Sequence, residues 1–241
     1  MKRNLYALSM ITIVWYILHF FVNPRLIPAP HNAVLLMLSE FPLILHHALL
    51  SLYRILVAIF VTLLIGVPVG IMIATHPRVD RLVSPIIYAL YPVPKIAFLP
   101  LLMLFFGLGD LSKIILVGLI IIFQILVSTR DGVKSINQSY FTSMRTLRAT
   151  KKQVYQHLII PAIIPNLLTS LRVSIGTSIS VLFFAENFAT RYGIGYFIMD
   201  SWLKLDYTSM FAGIIVISLL GVLLFSSIDL LEKRLCRWQG R

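Results

Sequence analysis

Six stretches of the chain run for about the length of a membrane span with almost no charge: 5–22, 51–74, 84–106, 112–127, 164–184 and 210–231. An α-helix needs roughly 20 apolar residues to cross the hydrocarbon core of a bilayer. No other feature constrains the fold as strongly, because backbone in hydrocarbon must satisfy its own hydrogen bonds, which leaves only helices and closed barrels. The alternating pattern of a barrel strand is absent. The expected fold is therefore all-α, a polytopic membrane protein of about six transmembrane helices. Composition agrees. The chain is 59% hydrophobic and only 12% charged, about half the charge of a soluble domain, too little to cover a water-facing surface.

The formal net charge is +12. In a soluble protein this would suggest nucleic acid, but here the cations sit between apolar runs, where they set membrane orientation. With the N-terminus in the cytoplasm, fourteen of the twenty-one Lys and Arg residues fall on inside segments and five on outside ones, with Lys95 and Arg172 within spans. That bias predicts both termini inside. The run 5–22 follows Met1-Lys2-Arg3 and is read as an uncleaved first span, being too long for an ordinary signal-peptide core. The single cysteine, Cys236, excludes an intramolecular disulfide. No metal site is expected: His46 and His47 are adjacent, point about 100° apart on a helix, and are read as interfacial. His157 is read as solvated. No paired carboxylates or Ser/His/Asp arrangement supports catalysis.

Spans 2 and 3 carry helix breakers, Gly66, Pro68 and Gly70 in one, Pro92, Pro94 and Pro100 in the other. Broken helices often line a transport pathway, so Pro92 and Pro94 are pathway candidates. Lys95 lies between these prolines. An ammonium at that depth costs roughly 2.5–3.5 kcal/mol on insertion scales and requires a cavity or a partner. It either lines a pathway for anionic solutes or bonds carbonyls freed by the prolines. Glu186 ends span 5 and is a gate candidate, or pairs with Arg191. Arg172 is expected to anchor the inner end of span 5.

The longest inside loop, 134–157, contains the most water-compatible sequence. Residues 138–147 read as a short helix with Tyr140, Phe141, Met144 and Leu147 on one face. Thr150-Lys151-Lys152-Gln153 fits a capping box and starts a second helix. An apolar helix with a basic rim suits either a groove on another protein or an anionic lipid surface.

The residues of this loop resemble the EAA signature of binding-protein-dependent ABC importer permeases. The match is carried by Thr142-Ser143-Met144, Arg145-Thr146-Leu147, Arg148, Ala149-Thr150 and Ile159-Ile160-Pro161. Two positions depart from the signature: Thr142 stands where the family has an acid, and Arg148 where it has glycine. Further matches are Pro92 to Pro100, Phe106-Gly107-Leu108-Gly109-Asp110-Leu111-Ser112-Lys113, Ala185-Glu186 and Gly193-Ile194-Gly195-Tyr196. These are similar to the nitrate/sulfonate/taurine-type branch.

The resemblance implies a homodimeric permease core in the bacterial inner membrane, two cytoplasmic ATPase subunits and an extracytoplasmic solute-binding protein. It assigns ATPase coupling to Tyr140, Phe141, Thr142, Ser143, Met144, Arg145, Leu147, Arg148 and Ala149. The chain would be a transport subunit rather than an enzyme, with no cofactor of its own and ATP-Mg on the partner ATPase. In agreement, no G-x-x-x-x-G-K-[ST] loop is present. A secondary carrier or channel, or a lipid-modifying membrane enzyme, are the alternative classes. The expected division is an N-terminal helix and outer segment at 1–50, a permease core at 51–231 and a basic tail at 232–241.

Overall fold

The structure, a computed structural model, describes residues 2–238, with the side chains of 2–5 and 7 outside the described set. Lys2, Arg3 and Arg241, counted above among the inside cations, therefore lie outside the described side chains. The described residues form helices and no strand. In chain order these are α1 (Lys2–Phe21), α2 (Pro30–Ser39), α3 (Phe41–Thr75), α4 (Pro77–Leu90), α5 (Leu99–Phe106), α6 (Asp110–Lys134), α7 (Gln138–Thr146), α8 (Lys151–Val154), α9 (Ile160–Glu186), α10 (Ile194–Leu203) and α11 (Tyr207–Leu235). A 3-10 turn, Lys95–Phe98, precedes α5, and a π-helical segment, Tyr155–Ile159, joins α8 to α9.

Four helices are long and apolar enough to cross a membrane: α3, α6, Lys151–Glu186 taken together, and α11. A fifth candidate is the pair α4 plus Lys95–Phe106, bent by 86°. The apolar part of α1, Leu8–Phe21, is shorter. Five of the six expected runs fall on single helices, whereas 84–106 is interrupted by a turn at 91–94, and the runs are unequal. The helices α2 and α10 were not anticipated by the sequence reading.

The chain divides into two compact units, residues 1–53 with 182–220, and residues 54–181 with 221–241. In the first, Ile44, Ile194, Phe197, Ile198 and Ala212 form a buried cluster to which Leu36, Met37 and Phe183 add. The Trp15 indole N–H donates to the Pro28 carbonyl at 3.0 Å, and its ring lies 5.3 Å from Phe211. His47 is buried within this unit, at 5% exposure, and stacks near Tyr196 and Phe197. Its interfacial reading is corrected: apolar neighbours from α10 cover it.

The helix α3, whose residues from 54 onward belong to the second unit, is one uninterrupted helix of 35 residues despite Pro68. The expectation of a broken span 2 is corrected. Gly66 and Gly70 are not breaks; they let two backbones approach. A Cβ at Gly70 would sit 2.7 Å from the Thr129 Cβ, and one at Gly66 would sit 3.0 Å from a methyl of Ile125. Small residues four apart are how helices pack closely where no water drives them together.

Polar side chains tie the other helices of this unit. The Arg130 guanidinium donates to Ser84 at 2.8 Å, Tyr88 at 2.7 Å and Asp131 at 2.9 Å. Asp80 accepts from Ser84 and Lys134. These bonds join α4 to α6. Arg172 donates to Asp229 at 2.6 Å and Glu232 at 2.9 Å, joining α9 to α11. Arg54 and Lys113, counted above as outer-segment cations, lie on α3 and α6 and are 3% and 0% exposed. Arg54 pairs with Asp110, and the Lys113 ammonium donates to the carbonyls of Leu108 and Gly109.

Candidate functional site

The elbow formed by α7, α8 and the π segment is built by capping at every junction. The Asn137 side chain accepts from the Ser139 N–H at 2.9 Å and starts α7. At the far end, the Ala149 N–H donates to the Met144 carbonyl and the Arg148 N–H to the Arg145 carbonyl. These two bonds are those of a Schellman motif, whose turning residue adopts the left-handed conformation. That residue is Arg148, at φ +51°. Glycine takes this conformation freely, and another L-residue at about 1–2 kcal/mol. The position at which the importer signature carries glycine is therefore the one whose backbone requires it, and here arginine carries the strain. The next helix opens on the predicted capping box: Thr150 accepts from the Gln153 N–H, and the Gln153 side chain accepts from the Thr150 N–H.

The four apolar residues expected on one free face of α7 are divided between two. Phe141 turns inward, beside the cluster of Ile71, Val133, Ile159 and Ile163. Tyr140 and Leu147 stand outward, at 60% and 76% exposure, with Met144 half-buried. The physical reason is the angular step of the helix. Phe141, Arg145 and Ala149 are four apart and line a cleft under the elbow, whereas Tyr140, Met144 and Leu147 follow the neighbouring ridge. Thr142 and Ser143 are exposed, and their hydroxyls donate to the carbonyls of Gln138 and Ser139 in their own helix. Thr142 thus presents no charge where the signature has an acid.

The pathway candidates fall elsewhere. Pro92 and Pro94 lie in the turn between α4 and the 3-10 segment. The Lys95 ammonium closes that turn, donating to the carbonyls of Leu90 at 3.0 Å, Tyr91 at 2.7 Å and Val93 at 3.3 Å. It also lies 4.6 Å from the centre of the Phe123 ring. Carbonyls of the turn thus take up the ammonium, which answers its desolvation.

Glu186 is fully buried. Its carboxylate accepts from the Ser51 hydroxyl at 2.7 and 2.9 Å and from the Gly195 N–H at 2.8 Å. The Ser51 hydroxyl also accepts from the Ile194 N–H, and the His47 Nδ1 lies 3.1 Å from the Gly193 nitrogen. The acid therefore caps the N-terminus of α10, where orphan N–H groups and the helix dipole favour an anion. A Cβ at Gly193, itself at φ +126°, would overlap this carboxylate. A Cβ at Gly195 would come 2.8 Å from the Phe183 carbonyl. Sequence reasoning missed Ser51, His47 and the purpose of the two glycines. The available signal was an acid followed by Gly-Ile-Gly at a helix start, but its partners on α3 lie far away in sequence.

Helices long and apolar enough to span a membrane, a capped and partly strained elbow, and buried charges paired within the chain mark a polytopic membrane protein. The chain belongs to the family described as binding-protein-dependent transport system inner membrane component, whose profile matches residues 66–237. It is 34% identical over 194 residues to the taurine transport system permease protein of Escherichia coli (strain K12), covering 80% of this chain and 70% of that one. It is 32% identical to the formylaminopyrimidine transport permease protein of Halalkalibacterium halodurans, over the full length of both. It is 30% identical to a putative aliphatic sulfonates transport permease protein of Bacillus subtilis (strain 168), over 80% of this chain and 70% of that one. The fold matches a chain of the MetNI methionine ABC transporter in an inward facing conformation, with a TM-score of 0.72 at 18% identity, covering 82% of this chain and 98% of that chain. The chain is thus a multi-pass inner-membrane transport subunit of an ABC importer and not an enzyme, and its resemblance to the nitrate/sulfonate/taurine-type branch is borne out.

Proposed function

We propose that this subunit forms a homodimeric translocation pathway and is driven by separate cytoplasmic ATPases, which hold ATP-Mg and dock on the 138–157 elbow. An extracytoplasmic binding protein delivers the solute. The observation that carries this reading is the outward ridge of α7: Tyr140, Met144 and Leu147 on a helix capped at both ends. Rigid capping suits a part that must transmit force. In this reading Phe141 fastens the elbow to its own chain, and Tyr140 and Leu147 meet the ATPase. Both termini face the cytoplasm, residues 51–231 form the core, and 232–241 form a basic tail. Taurine, aliphatic sulfonates and formylaminopyrimidine, named for the relatives, are small polar organic molecules, and we place the solute in that class. Lys95 and Glu186 support the pathway through the turn and helix they hold rather than by touching solute.

The test is co-purification of the ATPase with variants of the full chain. Tyr140→Ala with Leu147→Ala should leave the permease folded and weaken ATPase association about thirtyfold, since truncating a buried interface anchor costs roughly 2 kcal/mol or more. Full ATPase binding by this double variant would refute the docking face. Orientation is tested separately by labelling introduced cysteines at 76–82 and 134–157, which should require permeabilised cells. The native Cys236 gives little background, because burial pushes its thiol pKa up and keeps it protonated.

A further inference from the structure

Beneath the elbow lie two adjoining spaces. The first is a cleft of about 610 Å³ whose lining includes Phe141, Arg145, Ala149, Lys151 and Tyr155. The second is a groove of about 390 Å³ between α3 and α9, lined by apolar residues such as Val67, Ile71, Met72, Ile163 and Leu167. His76 and Tyr155 line both, so the two spaces adjoin at these side chains. Their chemistry is polarised. Arg145 and Lys151 are exposed at the cleft and make no ion pair among the described residues, whereas Lys134 on the same cleft is held by Asp80. No Asp or Glu lines either space among the described residues. The π segment begins at Tyr155, where the spaces meet, and π turns occur often at functional sites.

We propose that the cleft and the adjoining groove together bind one anionic phospholipid, with its phosphate between Arg145 and Lys151 and an acyl chain in the groove beside Met72 and Leu167. Charge complementarity selects the occupant. A cationic mouth opening onto an apolar slot between spanning helices matches an anionic headgroup on a hydrocarbon tail. The groove lies where the apolar runs 51–74 and 164–184 end, so the site does not depend on which side the elbow faces. It uses the Phe141–Arg145–Ala149 ridge of α7, not the Tyr140–Met144–Leu147 ridge assigned to the ATPase. The lipid would brace the elbow from behind.

The experiment is native mass spectrometry of the full chain released from detergent, titrated with dioleoylphosphatidylglycerol and, in parallel, dioleoylphosphatidylcholine. The anionic lipid should bind at least about tenfold more tightly. Arg145→Gln with Lys151→Gln should weaken it roughly thirtyfold, about fivefold per cation, and leave phosphatidylcholine unchanged. Met72→Trp, which fills the groove, should weaken both lipids. Equal binding of the two lipids by the unaltered chain overturns the proposal. So does undiminished phosphatidylglycerol binding by the double charge variant; if that variant also loses the ATPase, the cleft belongs to protein docking. Should it fail to fold, the unaltered chain still decides: phosphatidylglycerol binding that does not weaken from low to molar salt excludes a charge-selected site.

Discussion

The Glu186 pocket and the 138–157 elbow both carry family-like residues, and they are built on opposite terms. At Glu186 the polar groups close on one another. Hydroxyl, carboxylate and the N-terminal N–H groups of α10 are matched at 2.7–2.9 Å, and the acid is fully buried. At the elbow the backbone is matched by caps, but the side chains are left open: Tyr140, Leu147, Arg145 and Lys151 all face outward. A site that closes on itself holds an element in place. A site whose backbone is fixed and whose side chains are unspent is prepared for something else. The comparison also corrects a default. Ionisable residues inside a membrane mark function until a partner is found, and for Glu186 and Lys95 the partners are found in the chain itself.

The contrast can be broken most forcefully at Glu186. Glu186→Ala removes the acceptor of Ser51 and of the Gly195 N–H, and each buried group left unsatisfied costs about 1–3 kcal/mol. The expected loss is roughly 3 kcal/mol or more, read as a large fall in the thermal midpoint of the detergent-solubilised chain, with Glu186→Gln milder because its amide oxygen still accepts. A wild-type midpoint for Glu186→Ala would mean that the pocket does not hold α10. Lys95→Met sharpens the same side of the comparison with a smaller effect. Three carbonyls lose a charged donor, at a cost on the order of 1.5–3 kcal/mol. Stability should fall while the preference among solutes is kept in the residual uptake; a changed preference at unchanged stability would return Lys95 to the pathway. The smallest effect is expected at the elbow. Arg148→Gly relieves a left-handed backbone worth about 1 kcal/mol, so hydrogen exchange at the Arg148 and Ala149 amides should slow about fivefold. Faster exchange there would show that the arginine side chain stabilises the turn by more than its backbone strains it.

The capping box at Thr150 and Gln153 and the start of α7 were legible because caps are local: donor and acceptor lie three residues apart, and sequence spacing is the geometry. The left-handed position at Arg148 was legible for the same reason, once the glycine of the signature is taken as a backbone requirement. The free face of α7 was not, because Phe141 could be assigned inward only once α3 and α6 supplied Ile71 and Val133 to receive it.

Taken alone, the sequence determined that the chain is a helical membrane protein of the importer permease type and where its elbow bends. The helices, their orientation and the elbow rest on hydrophobic length, charge placement and caps, and the importer type on residues that resemble the family signature, all short-range quantities that a linear string records. Tertiary structure decided the rest. It made Gly66 and Gly70 a packing seam rather than a break, because Ile125 and Thr129 press against them. It made Glu186 a cap of α10, because Ser51, 135 residues away in the chain, turns its hydroxyl to the carboxylate. Burial, close approach and the pairing of distant polar groups depend on which helices lie side by side, and neighbours far apart in the sequence are settled only when the bundle packs.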